Sequence, residues 1–325
     1  MMTQDNANEA SWSQFWSSGS LTAFYGKQEN YDAEFVAFWR RVLDEPVDQL
    51  IDLGCGNGAL TWIADEILNR PQANTKICGI DLAAIDPFAT LDKNRQDHPN
   101  VSFLGGCSIE AIPLETDSVD IAISQYGIEY ANTERVLPEL GRVLRPKAKL
   151  AFILHDASSS VLGSMKNTAS GIELLIKPGG YYDVILRLDR IQNKKKSIRK
   201  LQVDPRFRKA VLELRQITQA IERLPSALKA FLQQHIAGIN RLFAKGQPVA
   251  TSKRTQLIRQ RRGMLEGTLT RYHELKQAAL SDQQYETLIG RVEKEGFAII
   301  ERGNFVHAAD TQAAVNLGWK LIAQR

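Results

Sequence analysis

The sequence predicts a doubly wound, mostly parallel α/β sheet carrying a helical insertion, and three observations lead there. Between Val47 and Ala151, short apolar runs alternate with segments of helical periodicity, the pattern of parallel strands joined by right-handed crossovers. A glycine-rich string, Gly54 to Gly58, separates the first apolar run from the first helical segment. Charge is also unevenly divided: Ser158 to Ser281 carries 24 Lys+Arg against 8 Asp+Glu, whereas the whole 325-residue chain carries 41 against 37. Such asymmetry separates two parts with different work.

In order along the chain, the opening stretch is dense in aromatics: Trp12, Phe15, Trp16, Phe24, Tyr25, Tyr31, Phe35, Phe38 and Trp39. It predicts one or two helices that pack on the core and cover a site. Gln49–Leu53 is a short strand stopped by glycines, and Ala59–Leu68 has helical spacing. Lys76–Ile80 is a second strand ending at Asp81, followed by strands at Val101–Leu104 and Val119–Ser124. Val136, Leu140 and Val143 lie on one helical face, and Leu150–Leu154 is a fifth strand. Asp204-Pro205 then opens a helix, as an N-cap with proline at the first helical position. Phe207, Val211, Leu214, Ile217, Ile221 and Leu224 form its apolar face. Pro225 interrupts that face, and two further helical patterns begin at Leu228 and Leu257. Ser281 with Gln284 resembles a capping box, opening a helix that ends near Gly296. Phe297–Ile300 and Val315–Ala323 are expected to close the chain as two strands. The expected division is an aromatic-rich segment at 1–46, a core at 47–157 with 282–325, and a basic helical insertion at 158–281.

Composition narrows the class. The chain is 43% hydrophobic and 24% charged, as a soluble globular protein is, and no apolar run approaches the roughly 20 residues of a membrane span. The start lacks the basic and apolar regions of a secretory signal. Cys55, Cys78 and Cys107 have no metal-type spacing, so reduced thiols in a cytoplasmic protein are expected and no metal site is.

The chemistry lies in Ile51-Asp52-Leu53-Gly54-Cys55-Gly56-Asn57-Gly58. Glycines at alternate positions let the backbone approach a ligand, and the helix that follows directs free N–H groups to the same place. A dinucleotide site would use G-x-G-x-x-G. Here the spacing is G-x-G-x-G, and Asp52 precedes it by two residues, where a carboxylate repels a pyrophosphate and suits a cation. Asp81, ending the next strand, is placed to accept hydrogen bonds from ribose hydroxyls.

With these residues the sequence resembles the class I S-adenosylmethionine-dependent methyltransferase superfamily over roughly 47–155 and 282–325. The resemblance implies a Rossmann-like, seven-stranded sheet with a reversed terminal hairpin, and S-adenosylmethionine as cofactor. It implies that Asp52 and the loop Gly54, Cys55, Gly56, Asn57 and Gly58 hold the methionine end, and that Asp81, with Leu82, faces the ribose. The stretch "GCSIEAIP" aligns with the adenine-contacting segment, so Cys107, Ser108 and Ile109 are further candidates, with Gln125 at the end of the fourth strand. Cys107 stands where many members carry Asp, and Glu110 is slightly displaced. The "RPKAK" turn lacks the family's glycine pair.

Methyl transfer from a sulfonium requires alignment of the acceptor and, for a protonated acceptor, a base. Ligands bind at the C-terminal ends of strands in such sheets, which selects Gln125, Tyr126, Glu129 and Tyr130, then His155 and Asp156. His155 is the expected general base. Glu129 would orient the acceptor, and Tyr126 and Tyr130 would wall the pocket. No Asn/Asp-Pro-Pro-aromatic string follows the fourth strand, which disfavours exocyclic amines of nucleobases. No cysteine stands there either, which disfavours pyrimidine carbons.

Two basic groups, 194–209 and 253–262, suit an anionic partner: RNA, an acidic carrier or a membrane surface. Few aromatics accompany them, which weakens base stacking. Three functions remain: methylation of a small or medium-sized metabolite beneath a helical lid, methylation of RNA, or non-catalytic regulation by cofactor binding.

Overall fold

The computed structural model describes residues 4–23, 30–69, 74–194, 198–243, 249–307 and 314–325. Phe24 and Tyr25 of the aromatic opening, and Lys195 and Lys196 of the first basic group, lie outside the described residues. Contacts divide the chain into two units, Met1–Leu162 with Glu274–Arg325, and Gly163–His273.

The first unit is built on seven strands: β1 (Gln49–Leu53), β2 (Lys76–Asp81), β3 (Val101–Gly105), β4 (Val119–Gln125), β5 (Leu144–Leu154), β6 (Ala298–His307) and β7 (Val315–Gln324). Their order is β3-β2-β1-β4-β5-β7-β6. The first five run parallel, and β7 enters antiparallel between β5 and β6. The seven-stranded, mostly parallel sheet with a reversed terminal strand is the one expected. Strands β1 and β4 are buried almost throughout, as a sheet covered on both faces requires.

Helices α1 (Gln4–Trp16), α2 (Ala33–Val42), α3 (Ala59–Leu68), the short α4 (Pro87–Thr90), α5 (Thr133–Val143) and α12 (Asp282–Lys294) belong to this unit. One face of the sheet packs with α5 and α12 around Leu53, Ile80, Leu140, Phe152, Tyr285 and Leu288. The other packs with α2 and α3 around Trp39, Leu50, Trp62, Ile63, Ile123 and Ile153. The expected capping box opens α12: Ser281 and Gln284 satisfy each other's backbone N–H groups.

β2, β3, β4 and β7 run one residue beyond their expected ends, and two strands are much longer than expected. Strand β5 starts at Leu144, ten residues before its end, because Leu144 already pairs with Val119. A register shift follows and Lys147 takes φ +71°, so "RPKAK" forms a bulged strand start instead of a turn. Strand β6 continues to His307 through Glu301, Arg302, Gly303 and Asn304. It is the sheet edge, where polar residues and bulges are common, and its register shifts twice.

Among its described residues the second unit holds helices and no strand: α6 (Ser160–Ile176, from Gly163 onwards), α7 (Tyr181–Lys194), α8 (Ile198–Gln202), α9 (Pro205–Glu222), α10 (Ser226–Asn240) and α11 (Thr251–Ala278, up to His273). Asp204 caps α9 by accepting from Arg206 N, and the break at Pro225 separates α9 from α10. The core gathers Leu175, Tyr182, Leu188, Ile221, Leu232, Ile239, Ile258 and Leu265. Buried Asp189 accepts from Arg254 Nε at 2.7 Å and from Thr255 Oγ1 at 3.2 Å. No helix among the described residues is long and apolar enough to cross a membrane.

The turns after β1 and β4 touch backbone to backbone. A Cβ on Gly127 would lie 2.5 Å from Leu53 O and 3.0 Å from Gly54 Cα. Ser124 Oγ fastens the same place, donating to Leu53 O at 2.8 Å and accepting from Ile128 N at 3.0 Å. Gly127→Ala is therefore expected to destabilise the protein by about 2 kcal/mol through overpacking, measured as a shift of the urea midpoint at unchanged slope.

Candidate active site

The C-terminal ends of β1, β2, β4 and β5 bring the sequence-selected residues to one edge of the sheet. Strand order reverses between β1 and β4, so this edge contains the topological switch point where open α/β sheets bind ligands. A cleft lined by Glu45, Asp48, Asp120 and Arg145 lies at the opposite ends of these strands and takes no part in the site.

Gly54, Gly56 and Gly58 have φ of +70°, +53° and +81°, conformations costly for any residue with a Cβ. Space forbids one too: at Gly54 it would lie 2.8 Å from Gly127 Cα, and at Gly58 2.7 Å from the Phe103 ring. Asp52, 1% exposed, accepts from Thr61 Oγ1 at 2.7 Å. Burial, helped by Asp81, pushes its carboxyl up to about 7. Asp81 accepts from Gly56 N at 2.7 Å and Ala83 N at 2.8 Å, and burial raises it as well. Leu82 beside it is half exposed.

Asn57 does not face outward. Its Nδ2 donates to Trp16 O and to Ser20 O, both at 2.8 Å, tying the end of α1 to the glycine loop. The Trp16 ring lies so close that a Cβ on Gly56 would meet it at 2.4 Å. After β3, Cys107 N donates to Asp81 O at 3.0 Å, and Ser108 Oγ accepts from Glu110 N at 3.2 Å. Ile109 is buried. Glu110 turns towards α5, accepting from Asn132 N and pairing with Arg135.

On the β4 and β5 side, Gln125 Oε1 accepts from Trp39 Nε1 at 2.6 Å. Tyr126 holds φ +59°, a strain of about 1–3 kcal/mol, and donates its hydroxyl to Leu317 O at 2.8 Å. Its ring stacks on His155 at 4.2 Å, while Tyr130 stands edge-on to His155 at 6.1 Å and to Trp12 at 5.9 Å. Glu129 Oε1 accepts from His155 N at 2.8 Å. Gln125 Nε2, Glu129 Oε2 and His155 Nδ1 are buried without a hydrogen-bond partner. Three such atoms at one sheet edge mark a place that awaits a ligand. Burial drives His155 down to about 3 and Glu129 up to about 7. His155 is thus a neutral and weak base, and Glu129 is the stronger proton acceptor at neutral pH. Asp156 is structural: it accepts from Asn316 Nδ2 at 2.6 Å and Asn304 Nδ2 at 3.2 Å, bracing the hairpin.

Sequence reading did not single out Trp16, Tyr31, Trp39 or Gly127 for these positions. Tyr31 reaches the same edge, since its phenol, raised chiefly by burial, also feels Asp52 and Glu129.

Residues 50–147 match the family described as methyltransferase domain. The residues present fit the cofactor of that family: buried Asp52 and half-buried Asp81 beside a glycine loop suit a ligand with sulfonium and ammonium charges. This segment is similar to S-adenosylmethionine-dependent methyltransferase domains. An uncharacterised methyltransferase of Mycobacterium bovis is 30% identical over 139 residues, covering 42% of this chain and 51% of that protein. One of Schizosaccharomyces pombe is 33% identical over 113 residues, covering 34% and 41%. The chain therefore spans about half the length of the curated relatives it matches. Among solved structures, geranyl diphosphate C-methyltransferase from Streptomyces coelicolor aligns over 49% of this chain and 71% of that one, at 16% identity and TM-score 0.36. A geranyl diphosphate methyltransferase bound to its substrate and sinefungin aligns over 41% and 50%, at 20% identity and TM-score 0.34.

Because Asp52 binds its proton more tightly folded than unfolded (about 7 against 3.8), its contribution to stability is largest at low pH and disappears as pH rises through 7. Asp52→Asn should therefore gain stability relative to the native protein between about pH 4 and 7 and run parallel to it above. Denaturant unfolding across that range checks the sign.

Proposed function

We propose that this protein transfers the methyl group of S-adenosylmethionine to a small or medium-sized metabolite, as a cytoplasmic enzyme. The observation that carries the reading is the pair of carboxylates, buried Asp52 and half-buried Asp81, on either side of the positive-φ glycine loop. When bound, S-adenosylmethionine supplies an activated methyl carbon beside a positive sulfur. Asp52 offers the charge that a buried cation needs, and the glycines Gly54, Gly56 and Gly58 with Cys55 offer backbone contact. Asp81 keeps lone pairs beyond those used by Gly56 and Ala83, so it can accept from two hydroxyls. Leu82 and Cys107 to Ile109 would flank the base, with Asn57 acting through its grip on Trp16. Gln125, held by Trp39, would present its unpartnered amide to the ligand. Tyr126, Tyr130 and Trp12 exclude water from the acceptor side, and Tyr126 fixes the plane of His155.

Internal use of the basic residues favours the metabolite over RNA. Arg254 is spent on Asp189, Arg262 on Asp183 and Glu266, and Arg206 on Asp204. Arg261 is packed against Gly238 of α10. A phosphate-binding surface needs such charges exposed, and here Arg199, Lys200, Arg208, Lys209, Lys253 and Arg259 remain so, as does Arg206 despite its pairing. Three free cysteines agree with a reducing compartment.

Methyl-labelled S-adenosylmethionine incubated with the protein and cell extract should label the small-molecule fraction, with or without ribonuclease. Label lost on ribonuclease treatment would overturn the metabolite reading. Asp81→Ala should weaken cofactor binding by calorimetry about ten- to hundred-fold, the loss of two charge-assisted hydrogen bonds.

A further inference from the structure

The acceptor side is built for one kind of nucleophile. Glu129 is 8% exposed, and its Oε1 is fixed by His155 N while its Oε2 has no hydrogen-bond partner. Aromatic rings lie nearby: Tyr126 stacks on His155, Tyr130 stands edge-on to His155, and Trp12 stands edge-on to Tyr130, and the Glu129 carboxylate acts on both phenols. The titratable groups that act on these residues are Asp52, Glu129, Glu274 and, on Tyr126, Tyr31. Asp52 and Glu129 raise Tyr31, Glu129 raises Tyr126, and Glu129 with Glu274 raises Tyr130, in each case adding to burial. His155, on β5, is neutral at physiological pH. No cation is among the groups that shift Glu129.

An acceptor that must become an anion before attack, such as an alcohol, a phenol or an acidic carbon, would hand its proton to Glu129 and leave the negative charge on a weaker buried acid, with no cation among the groups that shift Glu129 to hold it. A carboxylate or phosphate brings that charge with it. An ammonium group is attracted by both the carboxylate and the aromatic faces, and it attacks as a neutral amine, so no anion forms.

Resting on the methyl-transfer reading, we propose that the acceptor is a small amine, bound as its ammonium between Glu129 and the Tyr126–Tyr130–Trp12 aromatics, with Glu129 Oε2 as the proton acceptor. One N–H proton passes to Glu129 Oε2, leaving the nitrogen lone pair free. That pair forms the C–N bond to the methyl carbon of S-adenosylmethionine as the C–S bond breaks and its electrons stay on sulfur. The products are the methylated ammonium, S-adenosylhomocysteine and the proton held on Glu129, which passes to solvent when the products leave.

The test uses three probes of one shape, phenethylamine, phenethyl alcohol and phenylacetate, titrated calorimetrically into the protein loaded with S-adenosylhomocysteine. The amine should bind at least about ten-fold more tightly than the alcohol, with no binding of the carboxylate, as expected for a desolvated cation beside a carboxylate and aromatic rings. Glu129→Gln keeps the acceptor for His155 N and should abolish this preference while leaving S-adenosylhomocysteine affinity unchanged. Tyr130→Leu should weaken the amine alone. Equal or tighter binding of the alcohol or carboxylate, binding of none of the three, or a preference that survives Glu129→Gln would overturn the inference. Failure of the protein to bind S-adenosylhomocysteine at all would instead overturn the methyl-transfer reading beneath it.

Discussion

The site depends on two backbone turns lying against each other with no side chain between them. Gly54 and Gly127 end neighbouring strands that belong to opposite windings of the sheet, and a methyl group on either would collide with the other turn. Ser124 Oγ bridges them by bonding to Leu53 O and Ile128 N. Because the turns touch, the cofactor loop after β1 and the acceptor turn after β4 are held at one spacing. In-line transfer needs that rigidity, since misplacement by about 1 Å costs orders of magnitude in rate.

Electrostatics supplies the second constraint. Asp52 and Glu129 are carboxyls removed from water without a cation to balance them, so each holds its proton up to about pH 7. Such groups destabilise a fold that serves only itself. They are explicable as halves of pairs completed by ligands, a sulfonium-bearing cofactor on one side and an ammonium-bearing acceptor on the other. The same desolvation lowers His155, at the end of β5, to about 3.

Much of the frame was legible because local signals and tertiary demands agree. Strand β1 and helix α3 have the bounds expected from an apolar run, alternating glycines and helical spacing, and α12 opens with the expected capping box. Elements that break the simple pattern were misjudged in extent. Pro146 and Lys147 read as a turn, yet the β4 partner draws Leu144 into the sheet. Glu301 to Asn304 read as loop, yet an edge strand needs no apolar alternation. Among site residues, Asp52, Asp81 and Glu129 could be chosen from strand ends alone. Tyr31, Trp16 and Gly127 could not, because their places arise from contacts between segments about 20 to 90 residues apart that no periodicity encodes. The basic insertion taught the opposite lesson: charge counted along the chain overstated exposed charge, since Arg254 and Arg262 serve internal pairs.

The central claim is that the edge formed by Asp52, the glycine loop and Asp81 holds S-adenosylmethionine with its methyl directed to Glu129 on the acceptor side. A crystal structure with S-adenosylhomocysteine tests it most directly. The account predicts ribose hydroxyls on Asp81, the methionine end over Gly54 to Gly58, and the sulfur facing the turn of Tyr126 and Glu129. Ligand density elsewhere, or a sulfur directed away from Glu129, would contradict it.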